Sequence, residues 1–152
     1  MHINHFMKVV LQRVKKATVL PEGEQIRGIK QGLLLYVGFG HEESLDTLRW
    51  MADKVCKLRV FPDEDGKMNK SVEDERGELL IISQFTLYGD TRKGTRPSFI
   101  QAGPPEKSKI WYQQFIQLCK ERGLFVEQGT FGAHMDIDSM NDGPVTLILE
   151  KD

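Results

Sequence analysis

The residues best placed to do chemistry in this sequence are Ser83, Gln84 and Thr86, which close an apolar run. They follow Leu79-Leu80-Ile81-Ile82, an Ile-rich stretch behind a Glu75-Arg76-Gly77 turn signal, which reads as a strand buried on both faces. Hydroxyls and an amide at the end of a buried strand must find partners or be held for a ligand. The C-terminal ends of strands in open α/β sheets are where ligand sites form. The plainer alternative is that Ser83 and Thr86 bond the backbone at the strand end. A second candidate is Asn141-Asp142-Gly143-Pro144, a tight turn directly ahead of Val145-Thr146-Leu147-Ile148-Leu149. Taken alone it reads as an ordinary turn joining two strands. A third is the loop Thr91–Arg96, where Arg92, Lys93 and Arg96 could meet phosphates or simply be solvated.

Other catalytic patterns are missing. The sequence has no HExxH, no phosphate-binding P-loop, no GxGxxG after a strand and no GxSxG elbow. His2, His5, His41 and His134 have no spaced carboxylate or Cys that would make a triad or a metal set. The acids of Pro62-Asp63-Glu64-Asp65-Gly66 lack the spacing and distal Glu of a calcium loop and read as a solvated turn. What remains is a site of hydroxyls, an amide and backbone. That suffices for ester hydrolysis, which needs a positioned water and donors for the developing oxyanion. A Thr hydroxyl without an adjacent base is a weak nucleophile, so Thr86 fits substrate positioning better than attack.

A chain of 152 residues makes one domain with a real core. It is 39% hydrophobic and 28% charged, ordinary for a globular protein. No apolar run approaches membrane-spanning length, and Met1–Phe6 lacks signal-peptide character and reads as a short extension before a domain over 7–152. Cys56 and Cys119 fall in helical patterns without a CxxC, the mark of reduced, buried cytoplasmic thiols. The net charge of −1 gives no global basic field, so any nucleic-acid footprint must be local.

Several elements position these candidates. Met7–Val14 and Ala17–Leu20 are extended, with a Pro21–Glu24 turn and a returning strand over Gln25–Ile29. Gly32–Phe39 is a second fully apolar run and a central strand. Ser44 caps a helix over Leu45–Leu58, and Pro104-Pro105-Glu106 opens another that stops at Gly123. Leu124–Glu127, Met135–Ile137 and Val145–Leu149 complete the strands of an α/β domain with two main helices.

The paired motifs Ser83-Gln84-Phe85-Thr86-Leu87 and Asn141-Asp142-Gly143-Pro144-Val145-Thr146 together resemble the D-aminoacyl-tRNA deacylase family. Met7–Val14, Gly66–Asn69, Asp90–Gly94, Arg96–Phe99 and Phe131–Ala133 resemble its further landmarks in order, so the likeness runs from Met7 to about Glu150. Two departures stand out: Gly89 where the family commonly has Ala, and His134 where it usually has an acid.

The resemblance implies a mixed, barrel-like sheet with two helices and a cytoplasmic homodimer. No metal or organic cofactor and no membrane is implied. The activity implied is hydrolysis of the ester in D-aminoacyl-tRNA, with glycyl-tRNA mischarged on tRNA-Ala as a further substrate. Phe85 and Thr86 would hold the 3′-terminal aminoacyl-adenosine, assisted by the RNA's own 2′-OH, with Ser83, Gln84, Phe99, Met135 and Asn141 around the substrate. Gly143-Pro144, cis and pinned by Arg13, would enter the partner's site and reject L-amino acids by collision. Arg92, Lys93 and Arg96 would meet the tRNA acceptor end. Three rivals stay open: an editing enzyme for L-amino acids, a non-catalytic nucleic-acid-binding module and a small-molecule esterase.

Overall fold

Strand β1 (Met7–Pro21) organises the fold, and the computed structural model describes it within residues 6–151. Residues 1–5, with His2, His5 and most of the expected extension, lie outside the described residues, as does residue 152. On one side β1 pairs antiparallel with β3 (Gly32–Gly38) and, further along, with β2 (Arg27–Ile29). Along its whole other side it pairs with β8 (Met135–Lys151). The two expected N-terminal strands are therefore one, as the exposed Lys15-Lys16 pair is carried through a register shift rather than a break.

Strand β3 continues parallel into β6 (Glu78–Ser83), and β6 into β7 (Val126–Gln128). Parallel neighbours need long crossovers. The first carries α1 (Leu45–Lys57) and the hairpin of β4 (Phe61–Pro62) and β5 (Met68–Lys70); the second carries α2 (Pro105–Lys120). Ser44 caps α1 by accepting the Thr47 N–H at 3.1 Å, and Pro105 opens α2 where its missing N–H costs nothing. The Asp63 carboxylate accepts the Asp65 and Lys67 N–H groups at 2.9 and 3.0 Å, which folds the acidic turn on itself.

Alternate residues of β3 and β6 face two cores. Leu33, Leu35, Val37, Leu79 and Ile81 pack under both helices with Met51, Val55, Tyr112 and Phe115. Leu34, Leu80 and Ile82 face the opposite layer with Val14, Val19 and Ile29. Burial on both faces is why these strands read as unbroken apolar runs. Cys56 and Cys119 are free and buried in the helical layer.

The order β2-β1-β3-β6-β7 leaves β2 and β7 at opposite ends, yet the sheet curls until they meet. Arg27 of β2 donates from Nε to the Gln128 carbonyl of β7 at 2.9 Å and from Nη2 to Thr130 Oγ1 at 2.9 Å. One guanidinium thus closes a barrel-like mixed sheet. Among the described residues no helix is long and apolar enough to cross a membrane.

Candidate active site

Strand β6 ends at Ser83, and the polar motif does not continue it. Phe85–Tyr88 instead forms a single 3₁₀ turn, which leaves the sheet as Gln84 N–H bonds the Val37 carbonyl of β3 at 2.8 Å. The expectation that Ser-Gln-Phe-Thr-Leu lies on a strand is corrected there. The cause is loss of ladder partners: β3 ends at Gly38 and β7 reaches only Ile81. The turn also ends the alternation that would bury Thr86, and both Phe85 and Thr86 are exposed.

A cavity of about 650 Å³ opens at this point, over the C-terminal ends of β3 and β6. That is a ligand-sized volume in the expected place for a parallel sheet. Ile82, Ser83, Gln84 and Phe85 form one wall, Phe99–Pro105 a second, and Phe131–Met135 a third. Phe85 and Phe99 meet edge to face, with ring centroids 5.3 Å apart. The lining is mostly apolar.

Its polar groups are few and specific. The 3₁₀ turn at its edge opens with the N–H groups of Phe85, which lines the cavity, and Thr86, which does not, and neither has an acceptor among the described residues. Gln84 Nε2 donates to Thr86 Oγ1 at 2.5 Å, which leaves the Thr86 hydroxyl proton free to point at a ligand. Among the described residues no carboxylate or imidazole bonds Thr86 to act on it as a general base. Nor do any three His, Cys, Asp or Glu residues gather as metal ligands among the described residues.

The cavity has a clasp that the sequence did not reveal. His41 Nε2 lies 2.5 Å from the Ile100 carbonyl, and the Gly103 N–H bonds the Phe39 carbonyl at 2.9 Å. Gly103 approaches so closely that a methyl group there would sit 2.1 Å from the Gly40 carbonyl oxygen. Behind the clasp, Glu43 Oε2 accepts the Gly40 N–H at 2.7 Å, and burial pushes its carboxyl up to about 7. Nothing in local spacing marks His41, because its partner is far along the chain. His134 stands at the rim, 3.6 Å from Asp136.

The other predicted residues gather elsewhere. Asn141, Gly143 and Pro144 of β8 form a separate cluster with Arg13 of β1, none of them lining the cavity of their own chain. Between the pairs Gln12–Thr146 and Val14–Asn141, Arg13 alone faces four residues of β8, so Asp142–Val145 bulge outward. The bulge therefore interrupts one strand rather than joining two. The Gly143-Pro144 bond is cis, and both residues are exposed.

Arg13, itself buried, donates from Nε to the Asp142 carbonyl at 3.2 Å and from Nη1 to the Val60 carbonyl at 2.6 Å. Asn141 braces the same bulge, accepting the Val145 N–H at 3.1 Å and donating to Thr146 Oγ1 at 3.0 Å. Gly143 has φ of +120°, and a methyl there would lie 2.6 Å from Arg13 Nη2.

The cationic loop is a third group. Asp90 grips Arg92 with both oxygens at 2.9 and 2.7 Å, and that hydrogen-bonded ion pair holds its carboxyl well down, at about 2. Lys93 and Arg96 are exposed and have no side-chain partner among the described residues.

Comparison with known proteins agrees across the whole fold. The family model described as D-Tyr-tRNA(Tyr) deacylase matches residues 10–150. A D-aminoacyl-tRNA deacylase of Thermotoga petrophila is 53% identical over 145 residues, covering 95% of this chain and 97% of that protein. One from Chloroherpeton thalassium is 54% identical over 146 residues, covering 95% and 96%. Among solved structures, a c-Myc DNA unwinding element binding protein superposes with a TM-score of 0.88 at 40% identity, over 95% of this chain and 99% of that one. A probable eukaryotic D-amino acid tRNA deacylase gives a TM-score of 0.85 at 18% identity, over 96% and 100%, a likeness of fold alone.

Proposed function

This chain belongs to the D-aminoacyl-tRNA deacylase family, and on that premise we propose that it hydrolyses D-aminoacyl-tRNA in the cytoplasm. The observation that carries the reading is the cavity beside the unpaired N–H groups of Phe85 and Thr86. The 3′-terminal adenosine enters the apolar walls, and the ester carbonyl oxygen faces those two N–H groups. Water attacks the carbonyl carbon, and the N–H pair stabilises the oxyanion that forms. The bond to the ribose 3′-oxygen then breaks, that oxygen takes a proton, and free tRNA and the D-amino acid leave. Thr86 positions the ester through its hydroxyl, Gln84 holds Thr86, and the neighbouring 2′-OH of the RNA assists the water.

The chiral gate is the bulge at Gly143-Pro144, acting in a second copy of the chain. Supporting this, the bulge projects from an edge strand and lies outside the cavity of its own chain. Among the described residues strand β8 pairs with β1 alone, and it exposes Met140, Leu147 and Ile148, an apolar surface suited to a homodimer. The backbone of the gate would collide with an L side chain, while a D side chain points away. Glycine has no side chain to reject, so glycyl-tRNA mischarged on tRNA-Ala is a further substrate. Lys93 and Arg96 meet acceptor-end phosphates, with Arg92 exchanging Asp90 for phosphate.

The test is hydrolysis of matched D-Tyr-tRNA and L-Tyr-tRNA by the purified protein with a chelator present. Loss of the D-ester alone is expected. Survival of both esters overturns the deacylase reading and leaves nucleic-acid binding without turnover. Cleavage of both keeps the chemistry and overturns the gate.

A further inference from the structure

A second cavity, of about 330 Å³, lies on the far side of the loop that walls the first. Phe131 lines both, so the two cavities share a residue of their walls. The second is lined by Arg27, Lys109, Gln113, Glu127, Thr130 and Phe131, and is far more polar. Some of these groups are already committed. Arg27 and Thr130 bond each other and Glu24 in the barrel closure.

Others are free. Lys109 and Gln113 stand one turn apart on the exposed side of α2, and neither side chain has a hydrogen-bond partner among the described residues. Across from them Glu127 Oε1 accepts the Gln128 N–H at 3.3 Å and lies 3.9 Å from Arg27, while its other oxygen has no partner among the described residues.

The charges of Arg27 and Lys109 are offset by Glu24 and Glu127, so this is a poor site for a phosphate alone. It offers an aromatic ring, an unpaired amide, an unpaired ammonium and a carboxylate. Together these match a splayed-out nucleobase read on its pairing edge. Transfer RNAs end in CCA, so the nucleotide one phosphodiester from the terminal adenosine is a cytidine. Its N4 amine suits a carboxylate acceptor, and its N3 and O2 suit amide or ammonium donors.

We propose that the cavity between α2 and β7 seats this penultimate cytidine and reads it through Glu127 and Gln113, with the base against Phe131. The assignment rests on the terminal adenosine occupying the first cavity, as the deacylase reading has it. It makes the enzyme a reader of the last two nucleotides rather than of the terminal ester alone.

The experiment compares three D-tyrosyl esters: D-tyrosyl-adenosine and acceptor minihelices ending in CCA or CUA. Wild type is expected to prefer CCA over CUA by about tenfold in kcat/KM, within what one good base contact supplies. Gln113→Ala is expected to weaken that preference through KM, Glu127 still reading the amine, while leaving D-tyrosyl-adenosine hydrolysis unchanged. Glu127→Gln, which can donate to the O4 of uracil, is expected to shift the preference toward CUA. Equal hydrolysis of both minihelices by wild type overturns the proposal, as do variants that slow D-tyrosyl-adenosine as much as the CCA minihelix. If wild type cleaves none of the three, the deacylase reading itself fails, and the cytidine site with it.

Discussion

Strands β6 and β8 each carry one of the two motifs, yet they hold them in opposite ways. β6 is enclosed, with β3 and β7 on its edges and both faces buried, so Leu79, Leu80, Ile81 and Ile82 are at most 1% exposed. Its motif begins only where the ladder stops, and the cavity inherits the rigidity of the strands beneath it. β8 has β1 on one edge and nothing on the other among the described residues. Its motif is a bulge thrown outward from the middle of the strand, held by one buried guanidinium. A strand end inside a sheet builds a pocket, whereas a bulge on a sheet edge builds something to be inserted.

The contrast should break first under truncation. Ile81→Ala on β6 is expected to cost about 2–5 kcal/mol, the usual range for emptying a packed site. Ile148→Ala, at a β8 side chain 71% exposed on the single chain, should cost the fold of one chain no more than about 0.5 kcal/mol, as surface changes do, its loss falling on association of two copies instead. Urea unfolding of both variants measures the difference, and comparable losses would deny the distinction.

A charge at the same β8 position sharpens it. Ile148→Asp is expected to convert dimer to monomer in sedimentation while leaving the circular dichroism spectrum unchanged. Gly143→Ala comes next. Its methyl must displace Arg13 Nη2 or strain a backbone at φ +120°, at a cost of order 1–3 kcal/mol. The bulge is expected to shift rather than the core to unfold, so discrimination between D- and L-esters falls more than the melting temperature does.

The smallest effect is at Glu43 behind the cavity. Its carboxyl is raised from 4.5 to about 7 by burial, so the folded state binds its proton more tightly than the unfolded chain. Its contribution to stability is full below about 4.5 and lost as pH rises through about 7. Glu43→Gln should therefore gain on wild type across that window in melting temperature against pH, and a constant offset would contradict it.

The sequence made the enclosed region legible and the open one much less so. Fully apolar runs identified β3 and β6, and Ser44 and Pro105 marked both helix starts, because these signals are local. The hydrophobicity of Phe85–Tyr88 continues that of β6 and predicts more strand, and only the end of the ladder makes it a 3₁₀ turn. The bulge was read as a turn between two strands. What makes it a bulge is that both halves of β8 pair with β1, a contact between opposite ends of the chain. The His41 clasp on Ile100 and the Arg27 closure on Gln128 are long-range bonds of the same kind, and neither leaves a periodic trace.

That pairing of β1 with β8 also sets a timetable for synthesis. Met7 lies opposite Lys151, so one whole side of β1 waits for β8, made more than a hundred residues later, to leave the ribosome. Until then the nascent chain carries β1 with an open edge, a template for wrong partners. Pairings across such sequence distances are slow to close. The core of β3, β6 and the helices can assemble while β8 is still being made, but β1 keeps that edge open until the seventeen-residue strand and its bulge have emerged.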